Sequence, residues 1–289
     1  MQAESELDIL YSPSKWSKRL LPDVIVSKHV EIIEKNSKEV QNQIPCTLNI
    51  PYGSGKRETY NIFGTDLADD APIFVHFHGG YWKEELLTHS NNSFIAKQLH
   101  KNKIKSILVG YELLPKVSVE EINANITKAV AKCLEYAKQH GSSGLYLSGH
   151  SVGGQIVARL FESFIPSLPE ADQSLFKGAF LLCGIYDLLP LIKTEYNKDF
   201  KFDEDSARAA SPIFKKLSVR KDTDFYVVVA ENDSPAFVDN GRRFNEYLLK
   251  FGIKSNFVSI KNVDHFDIIE RLIDPEFELT QLIVNIINN

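Results

Sequence analysis

From Ile73 onward, short apolar runs alternate with stretches of helical spacing, and this alternation constrains the fold more tightly than any other property of the chain. Runs rich in β-branched and aromatic residues span 46–50, 59–63, 73–77, 106–110, 145–148, 179–183, 225–230 and 256–260. Phe225-Tyr226-Val227-Val228-Val229-Ala230 is apolar throughout, as a parallel strand buried between two layers of helices must be. Helical spacing marks 92–101 and 119–140, where Ile122, Ile126, Ala129, Val130, Cys133 and Ala137 fall on one face. Strands and helices in this order predict a doubly wound, mostly parallel α/β sheet of eight strands with helices on both faces, its first two strands an antiparallel pair. No internal repeat, low-complexity stretch or linker divides the 289 residues, so a single domain, 1–289, is expected. One connection is too long for a simple crossover. Some forty residues separate Cys183 from Phe225, with charge-rich 197–210 among them. Connections of that length inside a compact domain tend to be functional, and 186–222 is read as a small cap inserted over the active site, with a solvated surface excursion as the alternative.

The run Gly149-His150-Ser151-Val152-Gly153 sits between apolar Leu145-Tyr146-Leu147 and a predicted helix over 155–164. A Gly-x-Ser-x-Gly sequence by itself says little. Placed between a strand and a helix, it is the nucleophile elbow of the α/β-hydrolase fold. A serine hydroxyl needs a general base to act as a nucleophile at neutral pH. In this fold the partners follow in the order serine, acid, histidine. Seven of the eight histidines precede Ser151, which leaves His265, in a loop after the last predicted strand. Asp233, directly after the 225–230 run, is the acid of choice, with Glu231, Asp187, Asp239, Asp264 and Asp267 as rivals. Asp264 and Asp267 flank His265 too closely in sequence, and Glu231 falls at the strand end.

A second motif, His78-Gly79-Gly80-Tyr81-Trp82, follows the 73–77 run. Loops of this type supply backbone N–H groups to an oxyanion, together with the N–H of the residue after the nucleophile. The donors expected are Gly79, Gly80, Tyr81 and Val152, with His78 bracing the loop. The sequences HGGYW and GHSVGG, the N-terminal Tyr11-Ser12-Pro13-Ser14-x-Trp16 and the later Gly184-Ile185-Tyr186-Asp187-Leu188 together resemble the animal kynurenine formamidases, or arylformamidases, from Tyr11 to His265. The resemblance implies a Ser-Asp-His triad on Ser151, Asp233 and His265, with no metal and no organic cofactor. It implies hydrolysis of N-formyl-L-kynurenine to L-kynurenine and formate, a step of tryptophan degradation, and a homodimer. Trp82 is a candidate aromatic wall for the substrate ring, or else core packing beneath the loop; Tyr186 and Asp187 are further candidates, for the amino-acid head group.

Composition narrows the partners. A net charge of −5 and a pI near 5.9 argue against nucleic acid or an anionic membrane. The basic cluster Lys215, Lys216, Arg220, Lys221 reads as a solvated face. Cys46, Cys133 and Cys183 form an odd, widely spaced set that suggests neither a disulfide framework nor zinc. With an acidic, polar stretch Met1–Glu6 and no long apolar run, the chain reads as cytoplasmic, and the acceptor patterns at Asn91 and Asn125 as chance. Two other functions fit less of the pattern: a carboxylesterase for small acyl esters, and a non-catalytic relative of the fold, which the presence of Ser151, an acid and His265 disfavours.

Overall fold

The computed structural model describes residues 5–289; residues 1–4, part of the polar stretch that argued against a leader, lie outside the described residues. Eight strands form one sheet: β1 (Cys46–Pro51), β2 (Thr59–Phe63), β3 (Ile73–Phe77), β4 (Lys105–Val109), β5 (Leu145–His150), β6 (Phe176–Leu182), β7 (Asp224–Ala230) and β8 (Ser255–Ile260). Their order is β1-β2-β4-β3-β5-β6-β7-β8. β1 pairs antiparallel with β2, and β2 antiparallel with β4; every later pairing is parallel. The chain therefore has the expected eight-stranded, mostly parallel α/β architecture.

Period-two alternation along the central strands divides the core into two layers. Ile73, Val75, Phe77, Leu145, Leu147, Ala179, Leu181, Phe225 and Val227 face one side. There they meet the helices Val119–His140, Val152–Arg159 and Pro235–Lys250 through Ile126, Val130, Ile156, Phe237 and Phe244. Phe74, Phe180, Leu182, Val228 and Ala230 face the other side, against Ile33 of Pro22–Gln43, Leu99 of Ala96–Lys101 and Leu279 and Ile283 of Glu278–Asn288. The Val119–His140 helix has the bounds its periodicity predicts. Ser118 and Glu121 form a capping box at its start, and Gly141, at φ 64°, ends it in the left-handed region.

The differences from the sequence reading lie at element ends. β5 runs on to His150, two residues beyond expectation, and β6 starts at Phe176. The helix expected at 155 begins at Val152, immediately after Ser151, and passes at Leu160–Phe164 into a wider π turn. The strand is thus joined to the helix by one residue, which is what forces that residue into an unusual conformation.

The excursion between β6 and β7 carries the helical turn Leu189–Lys193, the helices Asn197–Phe200 and Glu204–Ala210, and the turn Pro212–Phe214. It is packed rather than solvated. Leu188, Leu191, Phe200, Phe202, Ala207, Ala210 and Leu217 join the main core. No helix among the described residues is long and apolar enough to cross a membrane.

Candidate active site

Ser151 occupies the single-residue junction between β5 and its helix, with φ 56° and ψ −122°. A non-glycine residue at positive φ is costly and persists only where its surroundings fix it. Here the Ser151 N–H donates to Leu182 O on β6 at 2.8 Å. The flanking glycines answer to close backbone approach. A Cβ on Gly149 would stand 2.0 Å from Gly153 O, and one on Gly153 would stand 2.2 Å from Phe77 O. Strand, turn and helix are therefore pressed together at the elbow, and the two positions admit no side chain.

His265 follows β8 and Asp233 follows β7, so both stand, like Ser151, at the carboxyl edge of the parallel strands, where open α/β sheets build their sites. His265 Nδ1 lies 2.7 Å from Asp233 Oδ2, and both side chains are buried. The second Asp233 oxygen accepts the Ser234 N–H at 2.7 Å. Ser151 and His265 open on one cavity. Of the rival acids, Asp187 pairs with Arg243, Asp239 lies near the same arginine, Glu231 accepts the Asn262 N–H, and Asp264 and Asp267 face Arg19. His150, next to the serine, donates from Nε2 to the His265 carbonyl at 2.8 Å. Burial, then the nearby His265 and His29, drives its pKa well below the ordinary histidine value, so it is a neutral strut for the His265 loop. The Cys183 thiol lies beside this pair: Cys183, Asp233 and His265 place their donor atoms within 4.8 Å of one another. Burial and the Asp233 charge push that thiol far up, which keeps it protonated.

The loop after β3 carries three residues at positive φ, Gly80 at 111°, Tyr81 at 48° and Trp82 at 56°. Among the described residues, the N–H groups of Gly79, Gly80, Tyr81 and Val152 donate to no backbone carbonyl. Gly80 and Tyr81 line the cavity beside Ser151, and a Cβ on Gly79 would stand 3.1 Å from the Ser151 Cβ. His78 braces the loop. It is fully buried, its Nδ1 donates to Gly79 O at 2.7 Å, and its ring stacks on Tyr111 at 4.3 Å. Burial lowers its pKa to about 3, so it stays neutral and is walled off from proton transfer.

Of the candidate substrate contacts, Trp82 takes its alternative, core packing, and Tyr186 sits outside the cavity. Trp82 is wholly buried and packs edge-on against Phe200 and Phe202, behind the loop rather than in the cavity. Tyr186 is also wholly buried, stacked on Phe244 at 4.0 Å, and its hydroxyl fills the space that a Cβ on Gly184 would need. Both are removed from the candidate substrate contacts for one reason: large aromatic rings bury more apolar area under the loops than over them.

Sequence reading missed most of the actual lining. Pro13, Ser14, Val26, His29, Tyr196 and Phe266 line the cavity with the residues already named. Val26 and His29 share a face of the Pro22–Gln43 helix, and nothing in their local pattern separates a cavity face from a core face. From the excursion, Tyr196 reaches the cavity, stacked on Tyr81 at 4.7 Å. Residues of both the N-terminal segment and the excursion thus line the cavity. Tyr81 Oη donates to Tyr11 O at 2.6 Å, and Ser12 Oγ and Tyr196 Oη lie 2.8 Å apart.

Residues 74–267 match the family model described as the alpha/beta hydrolase fold. Over 97% of its length the chain is 32% identical to a kynurenine formamidase of Salmo salar, covering 95% of that protein. The chain belongs to the kynurenine formamidase family, within the α/β-hydrolases. A kynurenine formamidase of Drosophila melanogaster is 28% identical, with 97% of each chain covered. Among solved structures, a Silicibacter sp. protein provisionally described as a thioesterase superposes with a TM-score of 0.78 at 30% identity, covering 98% of this chain and 99% of that one. An esterase of Pyrobaculum calidifontis, at 18% identity, TM-score 0.67 and 91% and 92% coverage, shares the fold alone.

Proposed function

We propose that this member of the kynurenine formamidase family hydrolyses N-formyl-L-kynurenine to L-kynurenine and formate, with Ser151, His265 and Asp233 as its triad. The observation that carries the reading is the 2.7 Å His265–Asp233 pair opening on the same cavity as an elbow serine, in a chain that matches formamidases along nearly its full length. Ser151 Oγ attacks the formyl carbon while His265 Nε2 takes its proton. Asp233 holds the ring and balances the imidazolium that forms. The N–H groups of Gly79, Gly80, Tyr81 and Val152 are the proposed donors to the oxyanion, and each such donor is worth roughly a hundredfold to a thousandfold in rate. His265 then protonates the aniline nitrogen, the C–N bond breaks, and L-kynurenine leaves. Water, deprotonated by His265, attacks the formyl-serine and releases formate. A formyl group is the smallest acyl group, and the crowded elbow with Gly79 against Ser151 suits it. Tyr81, Tyr196 and Phe266 supply the aromatic surroundings for the ring.

In this reading the whole chain is one catalytic domain, and 186–222 acts with the N-terminal segment as a fixed cover. The three cysteines are free thiols, Cys133 and Cys183 buried, which suits a cytoplasmic, reducing setting. The homodimer that the resemblance implies is read directly by sedimentation.

The test compares kcat/KM on N-formyl-L-kynurenine and on a simple aryl acetate, in wild type and Ser151→Ala. The reading expects a strong preference for the formamide. It also expects Ser151→Ala to lose both activities by roughly four orders of magnitude or more. A tenfold preference for the ester would replace the substrate by that of a small-acyl carboxylesterase. Persisting activity in the variant would overturn the mechanism.

A further inference from the structure

One polar side chain in the cavity has no task in the chemistry above. His29 lies one turn beyond Val26 on the Pro22–Gln43 helix, and both line the cavity. The residue is 4% exposed, and its Nδ1 stands 2.8 Å from Glu270 Oε1. Arg19 Nη1 donates to the other Glu270 oxygen at 2.9 Å. Burial pushes the Glu270 carboxyl up, but the hydrogen bonds from His29 and Arg19 outweigh it and hold the group below its ordinary value. An ionised carboxylate only accepts, so the Glu270 bond fixes a proton on Nδ1, and whenever the ring is neutral Nε2 is an acceptor. Among the described residues, the bond to Glu270 is the ring's one hydrogen bond.

Several of the other polar groups around the cavity already have partners. The Lys83 ammonium is held by the Asp199 carboxylate and lies 5.4 Å above the Tyr196 ring. The Glu84 carboxylate accepts the Leu86 N–H at 3.2 Å, and His150 donates to the His265 carbonyl. His29 Nε2 is thus a polar atom of a buried side chain, oriented by the Glu270 bond and without a hydrogen-bond partner among the described residues. Its ring and that of His265 stand 5.4 and 5.6 Å from the same Phe266 ring, which keeps the two imidazoles within about 11 Å. In N-formyl-L-kynurenine seven bonds join the formyl carbon to the α-nitrogen, a span of roughly 7 Å. A hydrogen bond added at one end closes that distance.

We infer that His29 is the specificity-determining residue for the amino-acid head group, its Nε2 receiving an N–H from the substrate's α-ammonium while Glu270 holds the ring in place. The inference rests on the formamidase reading. It goes beyond that reading by assigning the recognition of the end of the substrate remote from the reacting bond.

The test uses three substrates: N-formyl-L-kynurenine, its des-amino analogue, which keeps the keto acid, and ortho-formamidoacetophenone, which lacks the head group altogether. His29→Asn keeps an amide N–H for Glu270 in place of Nδ1 and removes the Nε2 acceptor. Wild type is expected to favour N-formyl-L-kynurenine over the des-amino analogue by roughly tenfold to a hundredfold in kcat/KM, the usual worth of a desolvated hydrogen bond to a charge. His29→Asn should erase that preference, mainly through KM, and change kcat/KM on ortho-formamidoacetophenone far less. His29→Gln, whose side-chain oxygen reaches the Nε2 position, should restore part of it. A His29→Asn enzyme that keeps the preference, or that loses equally on all three substrates, would overturn the assignment. A wild type that cleaves the aryl ester but none of the formamides would instead sink the functional reading, and the assignment with it.

Discussion

At the scale of single residues, the elbow is decided by space. Gly149 and Gly153 are glycines because a Cβ would meet backbone, at 2.0 and 2.2 Å, and backbone cannot step aside as a flexible side chain can. Gly153→Ala is therefore expected to lower stability by about 1–3 kcal/mol, the ordinary cost of overpacking, and to lose activity as Ser151 shifts. Urea unfolding beside an activity assay checks this; a variant with wild-type midpoint and rate would show that the elbow has slack. By contrast, Gly141 and Gly252 have open space where a Cβ would be, so only their positive φ restrains them. The sequence placed Ser151 and His265 on chemical grounds, since one serine lies in an elbow and one histidine follows it. Trp82 was left open between cavity and core, and Tyr186 was misplaced, because an aromatic residue next to a functional motif has the same letters whether its ring faces the cavity or the core.

At the scale of elements, the His265 loop is bound to the N-terminal segment by a charge cluster that no local pattern announces. Ser17 Oγ and Arg19 Nε donate to Asp264 Oδ2 at 2.6 and 2.9 Å, and Arg19 also reaches Glu270. Burial opposes ionisation of Asp264, but the hydrogen bonds from Arg19 and Ser17 outweigh it and hold its carboxyl far below the usual range. Asp267 takes the opposite course: burial first, then the Asp264 charge, push its carboxyl up to about 7. The unfolded value is about 3.9, so between these two values the folded protein binds the extra proton and stability falls as pH rises. The contribution is complete below about pH 4 and is lost as pH passes through about 7. Asp267→Asn keeps an oxygen for the Asp264 N–H, which now donates to Asp267 Oδ1. It should flatten the fall in Tm between about pH 4 and pH 7, read by thermal melts across that window. A fall as steep as in wild type would place the titrating group elsewhere.

At the scale of the whole molecule, the cavity is closed by segments nearly two hundred residues apart. Asp8 Oδ1 accepts the Glu195 N–H at 2.6 Å, Ser12 meets Tyr196, and Tyr81 bonds to Tyr11 O. Removing residues 1–16 would take away Tyr11, Pro13 and Ser14 and with them one wall and the anchor of the excursion. KM should then rise by roughly tenfold or more, as expected when several buried hydrogen bonds and a packed face are lost together. The core of the sheet carries most of the fold, so the truncated chain should still melt cooperatively. Retention of wild-type KM would show that the N-terminal segment covers the cavity without shaping it.

What the chain determined by itself is what repeats or is local: strand and helix periods, the strand–serine–helix elbow, the glycine loop after β3, and the order serine, acid, histidine. These are set by backbone geometry and by chemistry that tolerates few substitutes, so they survive as readable patterns. The tertiary structure alone decided which of several carboxylates meets His265, that Trp82 and Tyr186 turn inward, and that Pro13, Val26, His29 and Tyr196 wall the cavity. Those outcomes depend on contacts between distant segments, where burial and charge pairing are settled by neighbours the local sequence does not name.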